Sequence, residues 1–570
     1  MPRPFTVVHA AVLLLLMGLL ATPAARAQAP AWGAVSTIDN APARIYASAT
    51  DAAGNVFVTG AFSGVARLGS ITLTSSGDSD IFVAKWSPAT GRYVWAQRAG
   101  GVGLDDARAI AVAGNAVYVT GIYRDAATFG TTQLPGSINN NAFVCKLVDA
   151  GTSGSFSWAH WMGGTGNRVT LAEALAVVGT SVYVGGRFSN AIITFSGLAL
   201  QNANEGNYDG FVAKLTDAGA TASFTWAERL GGPDDDRVRA LAVAGNALYV
   251  AGAFDGAMRG GIFPTLVGPL NNTEGFVGKL TDQGPRATSE WERSLGGSGV
   301  DEVTALTTQG VAVYLTGYYT SPSLDAFPFT LRNSSSPSSN LLVVRLQEAG
   351  GSPIFTWVQS SAGTGDELGH AIAVRGNSVY VAGSFDGSAT TWGASTLVTA
   401  GQRDVLVMRL TEAPGQAAFD WAVAAGGSGS DSPATLALSG TQVLVAGSVA
   451  SPAAFGSTSV IGASAGAPVG FLASLTDLTL GTRPATAAAL TIYPNPAHAR
   501  TTVPLPALVT ASPARLTLLD ALGRAVRTET VALAASATRH ALDLAGLAPG
   551  LYLVRLTANG TTATQRLVVE

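Results

Sequence analysis

The strongest pattern in the chain is a short apolar run closed by glycine. NAVYVTG, ending at Gly121, recurs as NVFVTG at Gly60, SVYVGG at Gly186, ALYVAG at Gly252, AVYLTG at Gly317, SVYVAG at Gly383 and QVLVAG at Gly447, every 61 to 66 residues. Around each copy lie further short runs of β-branched and aromatic residues, bounded by Gly, Asn and Asp, a pattern that predicts strands. From Ala107 to Gly164 these are RAIAV, NAVYVTGIY, AFVCKL and SFSWAHWM, four strands to a repeat. A further section, ATFGTTQL, recurs as ITFSGLAL and AAFGSTSV and fits an added edge hairpin. Regular self-similarity of this kind predicts a repeat architecture, in which each unit buries its apolar face against its neighbours.

The fourth strand carries a tryptophan in six copies: Trp95, Trp158, Trp226, Trp291, Trp357 and Trp421. The last copy, from about Pro433 to Leu475, lacks that strand, while Trp32 stands alone near the N-terminus in PAWGAVST. The split copy predicts an all-β, seven-bladed β-propeller over residues 28–477, closed by an N-terminal strand that completes the last sheet. Closure removes free sheet edges. An open solenoid is the alternative, and the split copy counts against it. The pattern A-I-A-V, G-N-V-Y-V-T-G, D-x-F-V-A-K-L and W-x-x-x-x-G-G resembles the bacterial SBBP-type β-propeller repeat. That resemblance implies the fold and carries no catalytic residues with it.

Composition narrows the class. Charged residues are 12% and apolar residues 47%, with 68 Gly, as in a turn-rich globular β-protein. The net charge of −4 argues against nucleic acid as a partner. The apolar run from about Val7 to Ala21, followed by Ala25-Arg26-Ala27, reads as a secretory signal peptide over residues 1–27, cut between Ala27 and Gln28. No later stretch is long and apolar enough for a transmembrane helix. Cys145 is the single cysteine, so no intrachain disulfide forms. It aligns with Ala84, Ala213, Gly278 and Met408, positions that read as buried and apolar.

The connection from the fourth strand of one repeat to the first of the next holds a recurring acidic turn. It contributes Asp105, Asp106, Asp235, Asp236, Asp301, Glu302, Asp366, Glu367 and Asp431, with Asn167 and Arg168 in the divergent copy. Loops on a rigid scaffold are where ligands are met, which makes these residues a candidate ligand face. The competing reading is structural, since Asp and Asn accept backbone N–H bonds in tight turns. Ca²⁺ is the one cofactor these turns suggest, although it needs six to eight oxygens and no dense D-x-D-x-D run exists. The recurring cations Lys85, Lys146, Lys214, Lys279, Arg345 and Arg409, broken by Ser474, read as paired or apolar-stem residues. Trp86, Trp161 and Trp392 stand outside the tryptophan series and are candidates for ligand stacking.

An enzyme is not expected. His160, His370, His498 and His540 have no metal-ligand spacing, and no nucleophile elbow or phosphate loop is present. The alternative is an exported propeller enzyme that processes polysaccharides or small molecules; a glycosidase of this kind would need a carboxylate pair across a central cleft. The repeats otherwise read as a monomeric binding or adhesion scaffold for glycans or surface proteins, or as a structural envelope component.

The periodicity stops near Leu475. Residues 478–489 have linker composition, and residues 490–570 predict a small Ig-like β-sandwich. Tyr493-Pro494-Asn495-Pro496, the turn from Asp520 through Gly523 to Arg524, and Leu547 to Tyr552 with Pro549 and Gly550 resemble the type A sorting domain of the type IX secretion system. The resemblance implies the type IX machinery as partner, and release from the cell or attachment to its outer surface.

Overall fold

Among the described residues strands make up nearly all the regular structure, and their sheet pairings are antiparallel; the one exception there is a short 3₁₀ turn at Leu478–Leu480. The structure, a computed structural model, describes residues 29–480 and 492–570 apart from 165–167, 260, 265, 270–271, 350, 388–389, 393–394, 506–511, 521–523, 534–537 and 559–560. The predicted signal peptide, with Ala27 and Gln28, lies outside the described residues, as do 481–489 of the predicted linker. The chain divides into two compact units after Asp477.

In the first unit each repeat folds as four neighbouring strands in chain order. The second repeat runs Asp105–Ala113, Ala116–Tyr123, Asn141–Asp149 and Gly154–Met162. Seven such arrays occur among the described residues. The ATFGTTQL section forms a hairpin, Ala127–Phe129 with Thr132–Leu134, which docks on the preceding array's fourth strand, Arg92–Gly101. The last array is Ser432–Ser439, Gln442–Ala450 and Pro468–Thr476, and its fourth strand is Trp32–Thr37 from the other end of the unit. Trp32 pairs with Leu475 and Thr37 with Phe471.

The first strands of the arrays are Ala43–Thr50, Asp105–Ala113, Thr170–Val178, Asp236–Ala244, Asp301–Gln309, Glu367–Arg375 and Ser432–Ser439. Each packs on the next, and the seventh packs back on the first. Ser48 and Thr435 link hydroxyls at 2.8 Å across that last contact, so the circuit is closed.

Six seams between successive arrays repeat one polar device inside an apolar core. Lys146 Nζ, the Tyr118 hydroxyl and Trp158 Nε1, all from one array, donate to the carboxylate of Asp217 in the next, at 2.6, 2.6 and 3.1 Å. Lys85 and Trp95 meet Asp149 in the same way, Lys214, Tyr183 and Trp226 meet Asp282, and Lys279 and Trp291 meet Glu348. Arg345 pairs with Glu412 and Arg409 with Asp477. The recurring cations therefore have recurring partners, which offsets the cost of placing charges where much of the water is excluded. At the seventh seam Ser474 replaces the cation and Pro88 the carboxylate, so both halves of the pair are absent together. That seam is closed instead by Ile38, Phe62, Ala437, Leu444 and Leu472.

Trp86 and Trp392 are core residues and present no face to a ligand. Trp161 packs half-buried beside Phe143 and Cys145. The same burial pushes the Cys145 thiol pKa well up.

The second unit has two sheets around one core. Arg500–Leu505 pairs with Thr538–Asp543, and a four-stranded sheet runs Ala525–Leu533, Ser512–Leu519, Gly550–Ala558, Thr561–Val569. Val503, Leu505 and Leu542 from the first sheet share a core with Leu516, Val554 and Leu567 from the second.

Candidate functional site

All seven first strands contain a β-bulge, at the same place. In the second repeat Ala107 pairs with Gly121 and Ala109 with Thr120, leaving Arg108 unpaired between them. The equivalent bulge residues are Tyr46, Glu173, Arg239, Thr304, His370 and Ala434. A bulge re-aims one side chain out of the strand's alternation and is frequent beside binding sites.

The recurring glycine makes the bulge possible. A Cβ added to Gly121 would lie 2.1 Å from the Asp106 carbonyl oxygen, and one on Gly186 would lie 1.9 Å from that of Leu171. Gly60, Gly252, Gly317, Gly383 and Gly447 face the equivalent carbonyl at 1.9 to 2.4 Å. These glycines sit inside second strands, where the bulged neighbour leaves no space for a side chain.

The seven bulge residues are half-buried, and two neighbouring pairs of them meet directly, Tyr46 with Arg108 and Glu173 with Arg239. The Arg108 guanidinium lies over the Tyr46 ring at 4.3 Å. Arg239 bonds Glu173 at 2.9 Å and Glu302 at 2.6 Å, and Arg237 forks onto both Glu302 oxygens at 3.0 and 2.9 Å. Burial alone would raise the Glu302 carboxyl, but Arg239 and Arg237 hold it below the usual carboxylate range. Thr304 Oγ1 donates to the Gly369 carbonyl at 2.6 Å. His370 Nε2 lies 2.8 Å from Ser384 Oγ and 3.4 Å from Ser432 Oγ. Burial, with Arg403 nearby, lowers the His370 pKa to about 4, so the ring is neutral.

One sector of the circuit is therefore charged and another neutral and hydroxyl-bearing. An open cavity of about 330 Å³ lies at the circuit, lined by Arg44, Tyr46, Ser63, Asp78, Ser79 and Asp106 among others. Asp106 bonds Arg108 at 2.6 Å and Asp78 bonds Arg124 at 3.2 Å. Arg44 is exposed and has no ion-pair partner among the described residues.

The acidic turns do not form an exposed acidic face. Asp105, Asp236, Asp301, Glu367 and Asp431 are buried. Four of them accept the amide of the glycine four residues earlier, Gly101, Gly232, Gly297 and Gly427, at 2.6 to 2.8 Å. Glu367 accepts from the Ser361 and Thr390 hydroxyls and, like the others, from the amide of the glycine four residues earlier, Gly363. Burial pushes Asp105 up to about 7, Glu367 to about 7 and Asp236 to about 8. Asp106 and Glu302 are committed to arginines. Asp235 and Asp366 brace turns by accepting the amides of Tyr208 and Ser339. Asn167 lies outside the described residues. Among those residues no group of three or more His, Cys, Asp or Glu is placed to hold a metal ion.

The sorting motifs have defined places in the second unit. Tyr493 to Pro496 is exposed, and Asn495 pins the terminal strand by donating to the Arg566 carbonyl at 2.8 Å and accepting from the Val568 amide at 2.9 Å. Arg524 closes the turn onto Asp520 through its amide and its guanidinium; Gly523 lies outside the described residues. Between Pro549 and the following strand, Gly550 opens the run that carries Tyr552, whose hydroxyl returns to the Ala548 carbonyl at 2.8 Å. Residues 491–570 match the family model described as a secretion system C-terminal sorting domain.

The end of the chain is a type IX secretion sorting domain. It directs export through the type IX system, to the cell surface or beyond it. No curated protein matches the chain. Among solved structures it is similar to a candidate 6-phosphogluconolactonase from Bacteroides fragilis, at 11% identity over 76% of this chain and 98% of that one, with a TM-score of 0.35. It is also similar to dimeric latent PorU from Porphyromonas gingivalis, at 11% identity over 72% of this chain and 33% of that one, with a TM-score of 0.13. No described helix is long and apolar enough to cross a membrane.

Proposed function

We propose that the protein is an exported binding scaffold: a seven-bladed β-propeller of SBBP type, carried out of the cell by its sorting domain, that meets its ligand at the circuit of bulge residues. The observation that carries this reading is the contrast between copies. The seven strand arrays, their bulge and their glycine repeat, while the residues that the bulge presents do not: Tyr46, Arg108, Glu173, Arg239, Thr304, His370 and Ala434. The position two residues earlier in each first strand varies as widely: Arg44, Asp106, Leu171, Arg237, Glu302, Leu368 and Ser432. The closed circuit of seven arrays and the borrowed strand Trp32–Thr37 support the propeller.

Binding is favoured over catalysis. The circuit's histidine, His370, is a weak base at a pKa of about 4, and no carboxylate is bonded to it among the described residues. The Glu173 and Glu302 carboxylates are held by arginines. We propose a monomer that acts without Ca²⁺. The test is a screen of the purified full protein against glycans and extracellular-matrix proteins, with and without EDTA. Binding unchanged by EDTA is expected. Binding to nothing, or turnover of a bound glycan, would overturn the reading.

A further inference from the structure

We propose that the cavity at Arg44 and Tyr46 takes the anionic group of an acidic saccharide, a sugar bearing carboxylate or sulfate. This rests on the binding-scaffold reading and names the ligand class for the same site.

The protein as a whole carries −4. At the circuit the carboxylates are already paired: Arg108 with Asp106, Arg187 and Arg239 with Glu173, and Arg237 and Arg239 with Glu302. Most of these charges neutralise one another. Within the cavity both carboxylates already hold an arginine, Asp106 through Arg108 and Asp78 through Arg124. Arg44 is left as the exposed, uncommitted guanidinium, and a guanidinium fork matches a carboxylate or sulfate in two parallel hydrogen bonds. A charge at the mouth of a cavity draws its counterion more strongly than one on an open surface.

The rest of the lining selects a sugar over a bare ion. A volume of about 330 Å³ is far more than a simple anion needs. It lies at the low end of small-molecule sites, roughly 300–1,000 Å³. Pro42, Ala61 and Pro468 offer apolar surface for ring CH groups, and Ser63 and Ser79 offer hydroxyls. Ser432 and His370, on the two preceding arrays, continue the hydroxyl-binding surface around the circuit.

The experiment is calorimetric titration of the purified full protein with three oligosaccharides of equal length: an oligogalacturonate, a sulfated oligosaccharide and an uncharged gluco-oligosaccharide. One charged probe is expected to bind, more weakly as salt rises, and the uncharged one at least tenfold more weakly. The pair of charged probes separates a carboxylate ligand from a sulfate one. Arg44→Ala should weaken the charged probe about tenfold and Arg44→Lys less, with the thermal transition unchanged because Arg44 is exposed. No binding of either charged probe, equal binding of all three, or wild-type affinity in Arg44→Ala would each overturn the proposal. Uncharged glycan or matrix-protein binding that ignores Arg44 would overturn it while leaving the binding scaffold standing.

Discussion

Gly252 lies directly against the backbone carbonyl of Arg237: a Cβ on Gly252 would sit 2.0 Å from that oxygen and 3.2 Å from the Arg239 amide. The glycine of one strand thus holds open the bulge that aims Arg239 at Glu173 and Glu302. Gly252→Ala should force backbone apart, at a cost of about 1–3 kcal/mol for overpacking. Urea denaturation would measure the loss, and a variant as stable as the parent would mean that the bulge has room to spare.

This relationship also marks the limit of what the sequence discloses. The period, the four strands of a repeat, the split last copy and the sorting motifs were all legible, because each rests on residues that recur or match. The bulge was not. Strand alternation places side chains by a period of two, and one extra residue shifts every later one to the other face. Nothing local in AIAV announces that shift, and Tyr46, Arg108 and His370 share no residue type to align. The acidic turns drew attention because Asp105 and Asp236 recur, yet recurrence there reflects a backbone amide to be satisfied. A hint lay in the glycine itself, since an invariant glycine inside a strand often marks a bulge or close backbone approach.

The Lys146–Asp217 pair is expected to fail asymmetrically. Both side chains are nearly sealed from solvent, at 9% and 6% exposure. Asp217→Asn leaves a buried ammonium without its counterion and should destabilise the first unit by about 3–5 kcal/mol. Lys146→Met with Asp217→Asn should lose less than the Asp217 change alone. A double-mutant cycle by urea denaturation measures this, and additive losses would contradict the pairing.

Stability should peak in mildly acidic solution. Burial alone would raise the Asp217 carboxyl, but Lys146, Tyr118, the Gly219 amide and Trp158 hold it below the ordinary carboxylate range; Asp149, Asp282 and Glu348 are lowered in the same way. Their contribution is present above the unfolded pKa and is lost as pH falls through the folded one. Asp105 and Asp236 run opposite. Burial first, then their acidic neighbours, raise them to about 7 and about 8, so the folded protein keeps protons that the unfolded chain releases near pH 4. Stability therefore declines as pH rises from there through 7 to 8. Urea midpoints from pH 3 to 9 should trace this peak, and Asp236→Asn should flatten its alkaline side. A midpoint that rises steadily to pH 8 would refute the assignment.

The closing seam should reject the cation that the other six carry. Ser474 donates to the Ala34 carbonyl at 3.3 Å, and Pro88 stands where a carboxylate would meet a lysine. Ser474→Lys would bury an uncompensated charge against the strand Trp32–Thr37 and should cost several kcal/mol, on the order of 3. Hydrogen exchange should then show Trp32–Thr37 opening before any other fourth strand. Unchanged protection there would mean that the lysine finds solvent or a partner.

Export should depend on one asparagine as well as on the whole domain. Loss of 491–570 is expected to leave the first unit in the periplasm, since the sorting domain directs passage through the type IX system. Asn495 provides a sharper probe, because both ends of its amide hold the terminal strand at Arg566 and Val568. Asn495→Ala removes two hydrogen bonds and should lower the stability of the second unit by about 1–2 kcal/mol. If the machinery reads the folded sandwich, the exported fraction should fall with that stability, and Tyr552→Phe, which loses one bond to Ala548, should fall less. If it reads the exposed Tyr493–Pro496 segment itself, Asn495→Ala should impair export far more than Tyr552→Phe variants matched for stability. Fractionating cells into periplasm, surface and medium for the two variants decides between these outcomes, and export of both at the parental level would contradict a role for either contact.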